Sequence, residues 1–133
     1  MVTRPDRLLR LEALLVLLAA LLCFAVVLHG NWLLFALAFL LPDLSLLGYL
    51  AKNHLRFAAG LYNAIHSYAL PIVLALGAWH GIVPYATQLA IIWMAHIAFD
   101  RMLGFGLKYP EAFKPTHIQT VAVFPATEPV TAA

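Results

Sequence analysis

The chain contains four apolar segments, each about 20 residues long, and only short polar stretches separate them. An α-helix rises about 1.5 Å per residue, so each segment is long enough to cross the roughly 30 Å hydrocarbon core of a bilayer. The chain has 133 residues, of which 64% are hydrophobic and 11% charged. A soluble domain of this size cannot bury so much apolar surface. The sequence therefore predicts an all-α integral membrane protein.

The connections between the segments are short, which favours antiparallel packing of consecutive helices. We therefore expect a single domain over residues 1–133 that folds as an up-down-up-down four-helix bundle. After Gly104 the chain becomes polar and contains several prolines. Residues 105–133 are accordingly predicted to form a tail on the membrane surface with a disordered end. The predicted transmembrane helices cover residues 7–28, 31–50, 56–79 and 84–104.

The basic residues predict the orientation of these helices. They precede the first segment, lie between the second and third, or follow the fourth, and the other two connections contain no Lys or Arg. Because cytoplasmic loops carry the excess of Lys and Arg, both termini should be cytoplasmic. The basic residues are Arg4, Arg7, Arg10, Lys52, Arg56, Arg101, Lys108 and Lys114.

Each apolar segment also contains at least one ionisable side chain. Such groups are costly in hydrocarbon, are rare there, and usually face inward. Counting residues from the predicted cytoplasmic ends places all of them at a depth of about 5–14 Å, and inward groups at one depth of a four-helix bundle converge. The sequence therefore predicts one polar site near the cytoplasmic face. Its candidate residues are Glu12, Asp43, His66, His96 and Asp100.

These residue types are typical of a divalent metal site. His96 and Asp100 are four residues apart and therefore share a helix face. We predict that they bind a metal ion together with Asp43 and His66. Imidazole and carboxylate ligands suit Zn²⁺ best, with Mn²⁺ or Fe²⁺ as alternatives. Glu12 would be a fifth ligand or a general base.

Arg101 follows directly after the predicted ligand Asp100. At headgroup depth its guanidinium would stabilise negative charge on a phosphate or carbonyl substrate. Two other interpretations of the same polar residues are open. In the first, these residues form a hydrogen-bonded network that holds the helices together. In the second, they form a path for protons or ions, although the outer half of the predicted bundle offers almost no polar groups for such a path.

Several short runs of sequence carry a resemblance to a known family. They are residues 41–45 (LPDLS), 62–68 (YNAIHSY), 96–109 (HIAFDRMLGFGLKY) and 113–117 (FKPTH). Together they resemble a family of small bacterial membrane proteins called domain of unknown function 4260, over nearly the whole chain. The order of PD, HS and HxxxD is also similar to that of membrane-bound metal-dependent hydrolases of the LexA-binding inner-membrane type and of zinc-dependent phospholipase C.

The likeness to these hydrolases implies that Asp43, His66, His96 and Asp100 bind metal, although the chain lacks the further His and Asp ligands that those families have before the second motif. We therefore expect a metal-dependent hydrolase that acts on a lipid-like or phosphate-bearing amphiphile at the cytoplasmic leaflet. The alternative is a non-enzymatic subunit that packs against itself or against a larger membrane complex. A net charge of +2 with scattered basic residues argues against nucleic acid as a partner.

Overall fold

The computed structural model describes residues 5–50, 55–79, 81 and 85–108, and within these ranges the chain forms helices and no strand. The all-α prediction is confirmed for this part of the chain, and the predicted tail lies outside it from residue 109 onward. The helices are α1 (Pro5–Leu22), which continues as a π-helical turn (Cys23–Val27), α2 (Trp32–Phe39), a 3-10 helix (Leu41–Leu50), α3 (Leu55–Ile65), α4 (Ala69–Ala78) and α5 (Ala86–Leu103).

The first apolar segment is one long helical stretch. From Pro5 to Val27 it spans 23 residues, and only 17% of its most apolar part is buried. The chain then turns at His29, which has a φ of 44°, and at Gly30, where a side chain would collide with the ring of Phe24. This exposed apolar helix is long enough to cross a membrane, whereas the core helix of a soluble protein would be mostly buried.

The second apolar segment changes helix type at its centre. Asn31 caps α2 by accepting hydrogen bonds from the backbone N–H groups of Leu33 and Leu34, at 2.9 and 3.2 Å. The α-helix ends at Phe39, just before Pro42, whose ring nitrogen has no hydrogen to donate. The chain continues as the 3-10 helix, which winds more tightly than an α-helix.

The third apolar segment is broken in two. Helices α3 and α4 are bent by 45° across the turn formed by residues 66–68. Pro71 lies in the first turn of α4, where the lack of an N–H group is tolerated. Pro71 cannot donate the backbone hydrogen bond that would continue α3 through this position. The indole N–H of Trp93 donates to the carbonyl of Ile65 at 2.8 Å. The carbonyl group at the end of α3 therefore has a hydrogen-bond partner although the helix stops there. The pair is long and apolar enough to be one bent membrane span.

Helix α5 lies at the centre of the molecule. It packs against α1, α2 and α4, and small buried residues such as Ala90, Ala95 and Ala98 allow close approach of its neighbours. A Schellman motif ends the helix, since the N–H of Gly104 donates to the carbonyl of Arg101 at 3.1 Å and the next N–H to the carbonyl of Asp100 at 2.8 Å. Neighbouring helices therefore shield the polar residues of α5.

Candidate metal centre

Four of the predicted site residues come together between three helices. The 3-10 helix contributes Asp43, the turn after α3 contributes His66, and consecutive turns of α5 contribute His96 and Asp100. One ligand atom from each residue lies within 4.8 Å of all the others. Side chains that are far apart in sequence therefore form one compact cluster, which we call the Asp–His cluster.

The distances inside the Asp–His cluster are closely similar. The two histidine Nε2 atoms are 3.4 Å apart. Each histidine Nε2 also lies 3.5–3.7 Å from an oxygen of Asp43 and 3.6 Å from an oxygen of Asp100. Five of the six distances between the four ligand atoms are thus nearly equal.

This spacing fits a central cation better than direct hydrogen bonds. Ligands about 2.0–2.2 Å from a tetrahedral Zn²⁺ are separated from one another by about 3.3–3.6 Å. Charge-assisted hydrogen bonds are shorter, at about 2.7–2.9 Å. All five distances exceed this charge-assisted range and lie at or just above the ligand separations of a zinc tetrahedron. The separation of the two histidines is also within reach of a long hydrogen bond. The donor set, two imidazoles and two carboxylates, is also one that binds Zn²⁺, Mn²⁺ or Fe²⁺.

A backbone hydrogen bond sets the orientation of His66. Its Nδ1 lies 3.0 Å from the carbonyl oxygen of Tyr62. Because a carbonyl can only accept, Nδ1 carries the hydrogen, and in the neutral ring the lone pair of Nε2 points into the cluster. The Tyr62 ring stacks on the imidazole at 3.8 Å with an interplanar angle of 14°. His66 is therefore held ready to bind a cation.

His96 is held by packing. Its side chain is almost completely buried, and the edge of its ring meets Phe39 with the centroids 5.1 Å apart. Among the described residues its Nδ1 has no hydrogen-bond partner, and its Nε2 faces the cluster. Within the described part of the chain, the polar contacts given for this ring are to the other three members of the Asp–His cluster.

The two carboxylates differ in exposure. The side chain of Asp43 is 42% exposed and that of Asp100 is 18% exposed, whereas both imidazoles are buried. The cluster is therefore open on the side of Asp43. Two carboxylates and two neutral imidazoles carry a total charge of −2, which one divalent cation would neutralise, and a buried charge is stable only when it is paired.

Arg101 lies beside the cluster. Together with His66 and Asp100 it lines a small pocket. Its guanidinium carbon lies 4.4 Å above the centre of the Tyr68 ring, an arrangement typical of a cation–π contact. A cation therefore lies close to Asp100, which borders the same pocket.

After α5 the chain returns to the site. Asn63 donates to the carbonyl of Lys108 at 2.8 Å and accepts from its N–H at 2.7 Å. The Lys108 ammonium lies 4.8 Å from the centre of the Tyr62 ring. Burial lowers the pKa of Lys108, and the nearby charges of Asp100 and Asp43 oppose that shift. A second cation therefore lies within electrostatic reach of the cluster.

Glu12 is not brought into the cluster. It is exposed on α1 and is not part of the group of ligand atoms. The buried face of α1 carries Ala13 and Ala20, and successive helical residues point about 100° apart. Sequence position placed Glu12 at a suitable depth, but the rotation of α1 turns its side chain away from the described site.

Comparison with known proteins yields one assignment. The chain has no significant match among curated proteins or among solved structures. The pattern of one family matches residues 6–121, which include the three helical regions that build the Asp–His cluster. The chain therefore belongs to the family described as domain of unknown function (DUF4260).

Proposed function

We propose that this protein is a membrane-embedded, metal-dependent hydrolase that acts on an amphiphilic substrate at the cytoplasmic leaflet of the bacterial inner membrane. One observation carries the proposal: two imidazole nitrogens and two carboxylate oxygens lie close together, and five of the six distances between them are 3.4–3.7 Å. Zn²⁺ is the first choice of metal, since it favours four ligands in a tetrahedron, and Mn²⁺ and Fe²⁺ accept the same donors.

The membrane setting of the proposal rests on the apolar exterior. The helical stretch Pro5–Val27 and the bent pair of α3 and α4 have the length and composition of membrane spans. Large apolar side chains cover the outer faces, including Leu15, Leu22, Leu33, Leu37 and Val73, each more than half exposed. We infer that α2 with the 3-10 helix, and α5, complete a four-span bundle in which α5 is screened from lipid by the other spans.

Each residue of the site has a distinct role in the proposed reaction. A divalent cation held by Asp43, His66, His96 and Asp100 would supply an activated water and polarise an ester oxygen. His66, His96 and Asp100 bind from the buried side, and Asp43 binds at the open side where substrate enters. Arg101 stabilises the negative charge that develops on the carbonyl or phosphoryl group. Water adds to that group, the bond to the leaving alcohol breaks, and the alcohol takes up the proton.

The alternative is a non-enzymatic subunit whose Asp–His cluster holds helices together. Such a network depends on hydrogen bonds, and the separations between cluster atoms are longer than charge-assisted hydrogen bonds. The exposed apolar faces suit lipid and a partner protein equally well. The spacing within the cluster therefore favours the metal site over the structural network.

Metal analysis of the purified protein tests the proposal. Wild type is expected to bind one divalent ion per chain, and His96→Ala and Asp100→Ala to lose it. His29→Asn is a matched control, because His29 is exposed and Asn tolerates its positive φ. Equal metal content in all four proteins would refute the metal site.

Hydrolysis needs its own measurement. Metal-loaded protein in micelles should cleave a carboxylic ester or a phosphate ester of a long-chain alcohol, and a chelator should abolish the activity. A protein that binds metal but cleaves neither ester class would retain the site and refute the enzyme.

A further inference from the structure

An apolar cavity adjoins the Asp–His cluster. Its volume is about 300 Å³, at the lower end of the range of about 300–1,000 Å³ that is typical of ligand pockets. Its lining includes Ala38, Pro42, Ile65, Leu74, Leu89 and Trp93. Cavities with such linings exclude water because they offer it no polar partners. The occupant of this space must therefore be apolar.

The two helix interruptions that build the metal site also build the cavity. Pro42 and Ile65 line it and immediately precede the ligands Asp43 and His66. Trp93 lines it as well, three residues before His96 on α5. The cavity and the cluster are thus neighbouring compartments, each bordered by the 3-10 helix, the α3–α4 bend and α5.

Cations lie beyond the cluster, on the side away from the cavity. Arg101 and the backbone-anchored Lys108 follow the ligands in sequence. The guanidinium of Arg10 reaches the end of α5, where its Nη2 lies 2.6 Å from the position that a side chain on Gly104 would occupy. Along α5, Trp93 of the apolar cavity comes first, the proposed metal ligands follow, and the basic residues come last. A rise of 1.5 Å per residue separates Trp93 from Arg101 by about 12 Å.

We propose that the cavity binds the hydrocarbon chain of a phosphate-bearing amphiphile. This inference rests on the proposed function and names its substrate class. The order along α5 matches the order of parts in such a molecule: the chain lies in the cavity, the bond that joins chain to head lies at the Asp–His cluster, and the phosphate lies among Arg101, Lys108 and Arg10. Once a divalent cation neutralises the two carboxylates, these basic groups leave the head end positive, which suits an anionic head.

The test uses the full-length protein in nanodiscs of zwitterionic lipid. The probe is an alkyl phosphate with a diazirine at mid-chain, and the matching alkyl alcohol is the uncharged comparison. After illumination, mass spectrometry of peptides locates the cross-linked residues. Wild type is expected to be labelled at cavity residues such as Leu74 and Trp93, and the alcohol to label them about tenfold less, a difference of about 1.4 kcal/mol in binding.

A filled cavity supplies the decisive variant. Ala38→Phe places a ring in the cavity, and Ala36→Phe adds the same ring to an exposed position on α2. Cavity labelling should fall about tenfold in the first variant, again about 1.4 kcal/mol, and persist in the second. Leu74→Trp, on α4, replaces Ala38→Phe if that variant does not fold, and the far-ultraviolet circular dichroism spectrum reports folding in each case.

Two results would overturn the inference. Labelling spread evenly over the exposed faces of α1 and α2, or unchanged in the filled variants, would mean that no chain occupies the cavity. Equal labelling by alcohol and phosphate would remove the phosphate from the proposal. Metal binding without cavity labelling refutes this inference alone, whereas cavity labelling of a wild type that binds no metal refutes the proposed hydrolase alone.

Discussion

The Nε2 atoms of His66 and His96 lie 3.4 Å apart although the two residues are 30 positions apart in sequence. Two neutral imidazoles in this arrangement direct nitrogen lone pairs at the same space, which is unfavourable unless a proton or a cation lies between them. The hydrogen bond from Nδ1 of His66 to the Tyr62 carbonyl leaves the Nε2 of that ring as an acceptor. The pair therefore supplies two of the four groups that could together hold a metal ion, the other two being the carboxylates of Asp43 and Asp100.

Replacing Asp100 by Asn should remove the metal with little change in shape. The amide is nearly isosteric with the carboxylate but carries no charge, so the site would hold a divalent ion with only one compensating carboxylate. Loss of a partner that only orients a ligand lowers metal affinity by about 10–100-fold. We expect a larger loss of metal affinity for Asp100→Asn, because this change removes a ligand. Competition with a chelator measures the affinity.

Asp6→Asn is the matched control for that change. Asp6 lies in the first turn of α1, outside the Asp–His cluster, so its amide should leave the affinity unchanged. A metal affinity that is the same in Asp100→Asn as in wild type would contradict the assignment of Asp100 as a ligand.

Replacing Tyr62 by Leu should weaken metal binding without removing a ligand. The tyrosine ring stacks on His66, while the carbonyl that orients His66 belongs to the backbone and is kept. Loss of the stacked ring should lower metal affinity by about tenfold, the smaller end of the effect of orienting partners. Tyr85→Leu, at an exposed position, should have no effect. An affinity loss shared by both variants would point to a general effect on folding.

The convergence of four ligands was predictable from the sequence because helical rise converts residue number into depth. Asp43, His66, His96 and Asp100 lie at similar counted depths and meet in the structure. The rotation of each helix about its axis was not predictable in the same way. Glu12 had the right depth and faces outward, since in a chain so uniformly apolar no polar face marks the lipid side of α1.

The interruptions of the helices were predictable only in part. A proline at position 42 indicates that the α-helix of the second segment is interrupted there. That the chain continues as a 3-10 helix depends on local contacts such as the hydrogen bond from Ser45 Oγ to the Pro42 carbonyl at 2.7 Å. The break after Ile65 is stabilised by Trp93 from another helix. The return of the chain from α5 to α3 depends on Asn63 and Lys108, which are 45 residues apart. Such long-range pairings leave no local pattern.

Two glycine substitutions should have opposite effects on stability. Gly104 has a φ of 97°, which costs other residues about 1–2 kcal/mol. A side chain there would also displace the guanidinium of Arg10. Gly104→Ala should therefore lower the free energy of unfolding by at least about 1 kcal/mol and weaken metal binding, because the same turn positions Asp100.

Gly77→Ala is the matched control on α4. An added methyl group there would meet no atom within 4 Å, and Ala favours a helix over Gly by about 0.5–1 kcal/mol. Unfolding of the detergent-solubilised protein by heat or denaturant should show a gain for Gly77→Ala and a loss for Gly104→Ala. Equal changes in the two variants would mean that the turn after α5 does not need a left-handed residue.

The proposed topology predicts which ends of the helices a membrane-impermeant thiol reagent can reach. The chain has a single cysteine, Cys23, so a Cys23→Ala background accepts new cysteines one at a time. Asp6→Cys should react only after the cytoplasmic face is opened, because the N-terminal end of α1 lies with the basic residues that mark that side. Trp79→Cys should react in intact spheroplasts, since Trp79 is 90% exposed at the far end of α4.

The same experiment separates the topology from the fold. Wild-type protein, whose Cys23 lies within the apolar first stretch, should resist the reagent on both sides and serves as a separate control. The reverse pattern, with Asp6→Cys labelled from outside, would invert the protein and place the Asp–His cluster at the outer leaflet. Labelling of both new cysteines from one side would mean that α1 and the bent pair of α3 and α4 do not cross the bilayer as proposed.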